Sequence, residues 1–192
     1  MTGPVATGRD ALLARAIEHF AEHGVGDTSL RALAEAIGTS HRMLIYHFGS
    51  RDGLLAAVVD TVEQGARETL ARMVEEAKDD PDPLEAGLRY WHLVTDEALI
   101  YGPLFFELSS HAMLDLPHAA DLRERLVSTW LTSLEAMWTA RGVPRVAARQ
   151  QARLDLAVSR GLLHDLLLTG DRRAVDRAME QYAADTVAHL LR

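Results

Sequence analysis

Apolar residues recur every three or four positions through most of the chain and almost nowhere alternate with polar ones, which is the period of amphipathic helices. Leu13, Ala16, Ile17 and Phe20 predict a first helix over 10–23, with Gly24 placed for a left-handed cap. Leu30, Leu33, Ala34 and Ile37 stand at i, i+3, i+4 and i+7 of a second helix, capped by Thr28 or Ser29 and stopped at Gly38. Ser40 suits the cap of a short third helix reaching Phe48, where Gly49 and Ser50 break the chain. Leu54, Leu55, Val58, Val59 and Val62 then stripe a fourth helix over 51–78, roughly 42 Å long at 1.5 Å per residue. Further helices are expected over 84–101, 103–113, 119–141, 146–168 and 172–191, punctuated by Pro81, Pro83, Pro103, Pro117 and Pro144 and by Gly142 and Gly170. Asp79 to Pro83 is the best linker or corner. The fold class is all-α: an N-terminal three-helix head with a helix-turn-helix, followed by a C-terminal helical bundle.

Composition narrows the chemistry. The chain has 192 residues, 48% hydrophobic and 25% charged, within the ordinary globular range. No stretch free of Asp, Glu, Lys and Arg exceeds nine residues, against the ~20 that a membrane-spanning helix needs. The first residues carry no cationic region followed by an apolar run, so the expected location is the cytoplasm. There is no cysteine, which removes disulfides, thiol nucleophiles and thiolate metal sites. No cofactor and no metal site is expected.

The formal net charge of −8 argues against sequence-independent coating of nucleic acid. Its distribution matters more. From Ala36 to Arg51 there is no acid, while His41, Arg42, His47 and Arg51 all fall in that window. A helix, a tight turn and a second short helix with an acid-free outer face describe a helix-turn-helix, whose second helix enters a major groove. Leu44 and Phe48 share one face of the third helix, which leaves His41, Arg42, Met43, Ile45 and Tyr46 wholly or partly outward. Arg42 can fork onto guanine O6 and N7, His41 can donate to base or phosphate, and Met43 or Ile45 can touch a thymine methyl. Arg51 and the hydroxyls of Thr28, Ser29, Thr39 and Tyr46 suit phosphate contacts, and Ser40 lies at the same edge.

Three blocks carry a resemblance. Ala-Ile-Glu-His-Phe-Ala-Glu-His-Gly (16–24), Thr-Ser-Leu-Arg-Ala-Leu-Ala-Glu-Ala-Ile-Gly (28–38) and Leu-Ile-Tyr-His-Phe-Gly-Ser-Arg-Asp-Gly-Leu-Leu (44–55) resemble the N-terminal domain of tetracycline-repressor (TetR) family regulators, in order and over about a quarter of the chain. The resemblance implies a homodimeric repressor with a helix-turn-helix DNA-binding domain over 1–53. An effector-binding and dimerisation domain would follow over 54–192, joined to its twin through the helices over 146–168 and 172–191. It places Arg31 where a base can be reached, Ser29 on a phosphate, His41, Arg42 and Met43 at the reading positions, and Tyr46, His47 and Arg51 on the DNA backbone. Ile45 stands where the family usually has tyrosine, and Tyr46 is the candidate for that contact. The partners implied are an operator duplex and a small, mostly apolar effector.

The body holds Tyr90, Trp91, Tyr101, Phe105, Phe106, Trp130 and Trp138, most of the eleven aromatic residues. A helical bundle needs such residues for its core in any case. The candidate effector-pocket residues are Trp91, Tyr101, Phe105, Phe106, Trp130, Trp138 and His164. His92, His111 and His164 otherwise read as core or surface residues rather than ligands or catalysts. His19 to His23 fits an H-x-x-E-H zinc string, yet it ends at Gly24 and lacks a third ligand, so an enzyme is not expected. A scaffold for a protein partner is the other rival, and the acid-free third helix is what separates it from a DNA reader.

Overall fold

The computed structural model describes residues 8–76, 82–120, 122 and 125–191, and these are helical with no strand among them. The helices are α1 (Gly8–His23), α2 (Leu30–Ala36), α3 (His41–Phe48), α4 (Arg51–Glu76), α5 (Pro83–Met113), α6 (Trp130–Ala140), α7 (Arg145–Thr169) and α8 (Arg172–Leu190). Of the corner expected over 79–83, residues 79–81 lie outside the described residues. Two compact units form: Met1–Glu63 with Pro103–Arg123, and Gln64–Gly102 with Glu124–Arg192. Helices α4 and α5 each contribute residues to both.

The first unit is built as its apolar spacing dictates. Leu13, Ala16, Ile17 and Phe20 of α1 are all buried, as are Leu30, Leu33 and Ala34 of α2 and Leu54, Leu55, Val58 and Val59 of α4. Ser29, rather than Thr28, caps α2, its Oγ accepting from Ala32 N at 3.2 Å. Gly38, at φ +66°, turns the chain out of α2 in a conformation that a Cβ would strain. Thr39 N then donates to Ala34 O at 2.8 Å, and Arg15 Nη1 donates to Ile37 O at 2.9 Å, so the end of α2 keeps partners for its carbonyls. Helix α3 starts from Ser40, whose Oγ accepts from Met43 N at 3.2 Å, and it packs against α2.

The second unit holds three buried clusters. Leu70, Leu134, Ala152 and Leu156 form one, with Tyr90 and Trp130 against it. Trp91, Leu166, Val175 and Met179 form another, with Leu162 and Leu163 packed on it. Trp138, Val143 and Ala148 form a third.

Two expectations need correction. The helices expected over 84–101 and 103–113 are one, α5, with Pro103 inside it. An interior proline costs a helix about 3 kcal/mol. Leu104, Leu108 and Ala112, buried at i, i+4 and i+8 just beyond it, require the helix to continue, and each leucine returns about 2 kcal/mol by leaving water. The single helix expected over 119–141 is preceded by a 3₁₀ turn at Pro117–Ala119 and, within its described residues, widens into a π turn at Arg125–Thr129 that leads directly into α6. Arg160 of α7 donates a guanidinium proton to Leu126 O inside that π turn. A carbonyl drawn to a side chain in this way accompanies a widened turn.

Candidate nucleic-acid interface

The outer side of α3 faces solvent. On α3, Leu44 is fully buried and Phe48 nearly so, which anchors the helix from behind. His41 and Arg42 are exposed, Met43 and Ile45 stand at 41% and 39% exposure, and Tyr46 reaches 78%. His47 is half-buried with its ring edge-on to Tyr46, centroids 4.9 Å apart. The Arg9 guanidinium lies 5.2 Å over the Phe48 ring and covers its solvent side. No Asp or Glu interrupts Ala36 to Arg51, so this side of α3 offers donors and apolar contacts without a carboxylate among them.

The edge of the surface comes from α2 and its two flanking turns. Arg31 and Ser29 are exposed at the start of α2; Thr28 and Thr39 are half-buried in the turns before and after it, and Ser40 is exposed at the cap of α3. The Oγ atoms of Ser29 and Ser40 already accept backbone protons, yet each hydroxyl keeps a proton to donate outward. Arg51, at the first position of α4, turns back into the head. Its Nε donates to Thr28 O at 2.9 Å and a terminal nitrogen donates to Gly26 O. A phosphate contact by Arg51 must therefore share a guanidinium already bonded to the loop between α1 and α2.

The same loop is held from its other side by a residue that the sequence did not single out. Glu107, on α5, accepts from Val25 N at 2.8 Å and from Gly26 N at 2.9 Å. A glutamate 82 residues away in a separate helix leaves no local signature. Close by in this unit, His118 Nδ1 lies 3.5 Å from Asp52 Oδ1, and its Nε2 is 2.9 Å from His111 Nδ1. Burial and the neighbouring His111 hold the His118 pKa below the usual imidazole value, with Asp52 pulling the other way.

The histidines of the zinc-like string lie side by side on α1. The His19 and His23 rings stack 4.5 Å apart, and His23 Nδ1 is bonded to His19 O at 3.0 Å. Among the described residues no group of three or more His, Asp or Glu is arranged to hold a metal ion. No helix among them is long and apolar enough to cross a membrane.

The candidate pocket residues fall in both units. Trp91 is buried and donates from Nε1 to Asp176 Oδ1 at 2.7 Å, while Trp138 is buried and donates to Asp155 Oδ2 at 2.6 Å. The two indoles belong to different clusters and cross-link helices. Phe105 and Phe106 pair edge-on in the first unit, 5.4 Å apart. Tyr101 and His164 are exposed in the second. Trp130 differs: its Nε1–H is buried and, among the described residues, meets no acceptor. Beside it, the Tyr90 pKa is pushed far above the usual phenol value, first by burial and then by Glu97.

An all-helical chain whose second and third helices form such a turn, with the outer side of the third left open, is a helix-turn-helix protein. Residues 12–58 match the family model for bacterial regulatory proteins of the tetR family. The match runs from α1 into the first turns of α4, so it is the head of this chain that resembles the DNA-binding domain of that family. Among curated relatives it is similar to the HTH-type transcriptional regulatory protein RaaS of Mycobacterium tuberculosis, 48% identical over 56 residues, 29% of this chain and 26% of that protein. It is also similar to the HTH-type transcriptional repressor AcnR of Corynebacterium efficiens, 39% identical over 77 residues, 37% of each chain. These matches thus span about a quarter to two-fifths of the relatives' own length.

Among solved structures, a transcriptional regulator of Rhodococcus sp. Rha1 superposes with TM-score 0.80 at 23% identity, over 97% of this chain and 99% of that one. A putative transcriptional regulator of Saccharomonospora viridis, solved in complex with choline, gives TM-score 0.70 at 22% identity over 96% and 97% of the two chains. At these identities the likeness is one of fold.

Proposed function

We propose that the protein is a homodimeric, cytoplasmic DNA-binding repressor, released from its operator by a small, mostly apolar ligand. The observation that carries this reading is the outer side of α3: His41, Arg42, Met43 and Tyr46 stand open to solvent above buried Leu44 and Phe48, in a window without acids. The DNA-reading part is the head over 1–53, and the remainder to 192 binds effector and partner copy. His41, Arg42 and Met43 read base edges; Arg31 reaches a base from α2; Thr28, Ser29, Thr39, Ser40, Tyr46, His47 and Arg51 contact the phosphate backbone.

A single helix-turn-helix head buries too little surface for tight specific binding, whereas a twofold dimer places two α3 helices in successive major grooves, about 34–36 Å apart. The exposed Leu154 and Leu168 of α7, four turns apart on one face, are the apolar positions offered to a second copy, whereas Leu162, Leu163 and Leu166 serve the core of their own unit. For the effector, Trp130 is the most suited of the candidate residues, since its buried N–H lacks an acceptor among the described residues. The choline complex of the Saccharomonospora viridis neighbour supports a small-molecule ligand for this fold.

The test is selection of duplexes from a random DNA library by the full-length protein, with a His41→Ala/Arg42→Ala double variant as control. An enriched inverted repeat that the variant does not retain is the expected result. Failure of the wild-type protein to enrich any duplex refutes the reading.

A further inference from the structure

We propose that Glu107 is a positioning residue for DNA binding, fixing the loop from which the reading head is hung; this rests on the function proposed above. The loop of residues 24–29 joins α1 to α2: Gly24 N donates back to Phe20 O and Ser29 O accepts from Leu33 N, while the amides of Val25 and Gly26 between them take a side-chain acceptor. That acceptor is Glu107. Its two carboxylate oxygens each accept a separate proton, Oε2 from Val25 N at 2.8 Å and Oε1 from Gly26 N at 2.9 Å. From the opposite side the Arg51 guanidinium takes the carbonyls of Gly26 and Thr28. The loop's donors are therefore held by an anion on α5 and its acceptors by a cation on α4, a polarised clamp over four residues.

Satisfaction of those donors alone does not call for a carboxylate, because Gly26 is exposed and water can reach its N–H. A charged acceptor that bridges two successive amides adds a fixed position. Gly24 gives a second sign of close fit: it sits at φ +75°, and a Cβ there would stand 3.3 Å from Glu107 Oε2. Ser29 caps α2 immediately after the loop, and Arg31 lies in the first turn of α2. A shift of the loop would move both, and with them the α2 platform against which α3 packs.

The electrostatic sign makes the inference testable. Removing a carboxylate near a DNA-binding face should by charge alone tighten binding, since one repulsion is lost. Loss of position predicts the reverse. The duplex enriched by the wild-type protein is titrated, at fixed salt, with full-length wild-type protein and Glu107→Gln, while amide hydrogen exchange is followed at Val25 and Gly26. The expected result is binding weakened about ten- to hundredfold, the fold-change of losing charge-assisted hydrogen bonds, together with faster exchange at both amides. E107Q affinity equal to wild type within about twofold, or tighter, overturns the inference.

Should E107Q fail to fold, Glu107→Asp decides, because it keeps the charge and shortens the reach: weakened binding supports a positioning role and wild-type affinity overturns it. If the wild-type protein enriches no duplex, the DNA-binding reading falls and this inference with it. If it does enrich one and the variants bind it normally, only the role of Glu107 falls.

Discussion

Arg51 donates from Nε to the carbonyl oxygen of Thr28 across 2.9 Å, so the first residue of α4 is tied to the last residue before the α2 cap. The guanidinium fork is what allows it to take Gly26 O as well. Arg51→Ala is expected to destabilise the protein by about 1–3 kcal/mol, read as a lower urea midpoint, because it leaves two loop carbonyls without their charged donor. Arg51→Lys, which keeps the charge without the fork, should recover less than half of that loss. A urea midpoint unchanged in R51A would show that the loop does not depend on this contact.

Arg42 is exposed on α3, in a stretch of sequence free of Asp and Glu. Arg42→Ala should weaken binding to the selected duplex by about 1–3 kcal/mol and relax the preference at one base pair. Anisotropy titrations on the matched duplex and on single-base variants measure this. Equal losses on every duplex would assign Arg42 to the phosphates instead.

Gly53 marks a close approach that the sequence does not announce. A Cβ at this position would stand 2.1 Å from the carbonyl oxygen of Phe48, a backbone atom that cannot swing away. Phe48 O already accepts from Ser50 N, and Ser50 Oγ accepts from Gly53 N, so the whole α3–α4 turn would have to open. Gly53→Ala should lower stability by about 2 kcal/mol or more in spite of alanine's better helix propensity, with thermal unfolding as the readout. A melting temperature raised by the substitution would exclude this crowding.

His118 gives the protein a pH dependence whose sign follows from its surroundings. Its side chain is only 5% exposed, and burial, with His111 and Arg51 adding to it, lowers its pKa, while Asp52 opposes. The folded chain thus keeps the ring neutral where the unfolded chain, with the ordinary value of about 6.5, takes a proton. Stability is complete above about pH 6.5 and declines as the pH falls below it, toward the lower folded pKa. Urea unfolding at about pH 7.5 and about pH 5.5 should show a larger drop for the wild-type protein than for His118→Asn. The same drop in both proteins would rule out His118 as the source.

Asp155 gathers three donors from three elements: Trp138 Nε1 at 2.6 Å, Gln151 Nε2 at 2.8 Å and Tyr182 OH at 2.8 Å. Burial and the carboxylate together push the Tyr182 pKa well above the usual phenol value, which keeps the hydroxyl a donor. Asp155→Ala strands these donors and should cost about 1–3 kcal/mol, visible in the melting temperature. Trp138→Phe, which removes one donor and leaves the acceptor its other two, should cost less.

The sequence by itself determined the helices of the head, their caps and the face each one buries. Those properties depend on residues three or four apart, such as Leu30, Leu33, Ala34 and Ile37, or on a single serine at a helix start. It also determined the acid-free window that leaves α3 open, because absence of charge is a property of composition alone. The continuation of α5 through Pro103, the π turn bonded to Arg160, and the grip of Glu107 and Arg51 on the loop at 24–28 were decided only in three dimensions. Each joins residues far apart in the chain, where helical periodicity carries no information. The pocket candidates show the same limit. Aromatic residues at helical spacing read alike whether their N–H groups end on Asp176 and Asp155, as in Trp91 and Trp138, or face no acceptor among the described residues, as in Trp130. Only the packing of distant helices separates a tryptophan that holds the core together from one that still has a bond to offer.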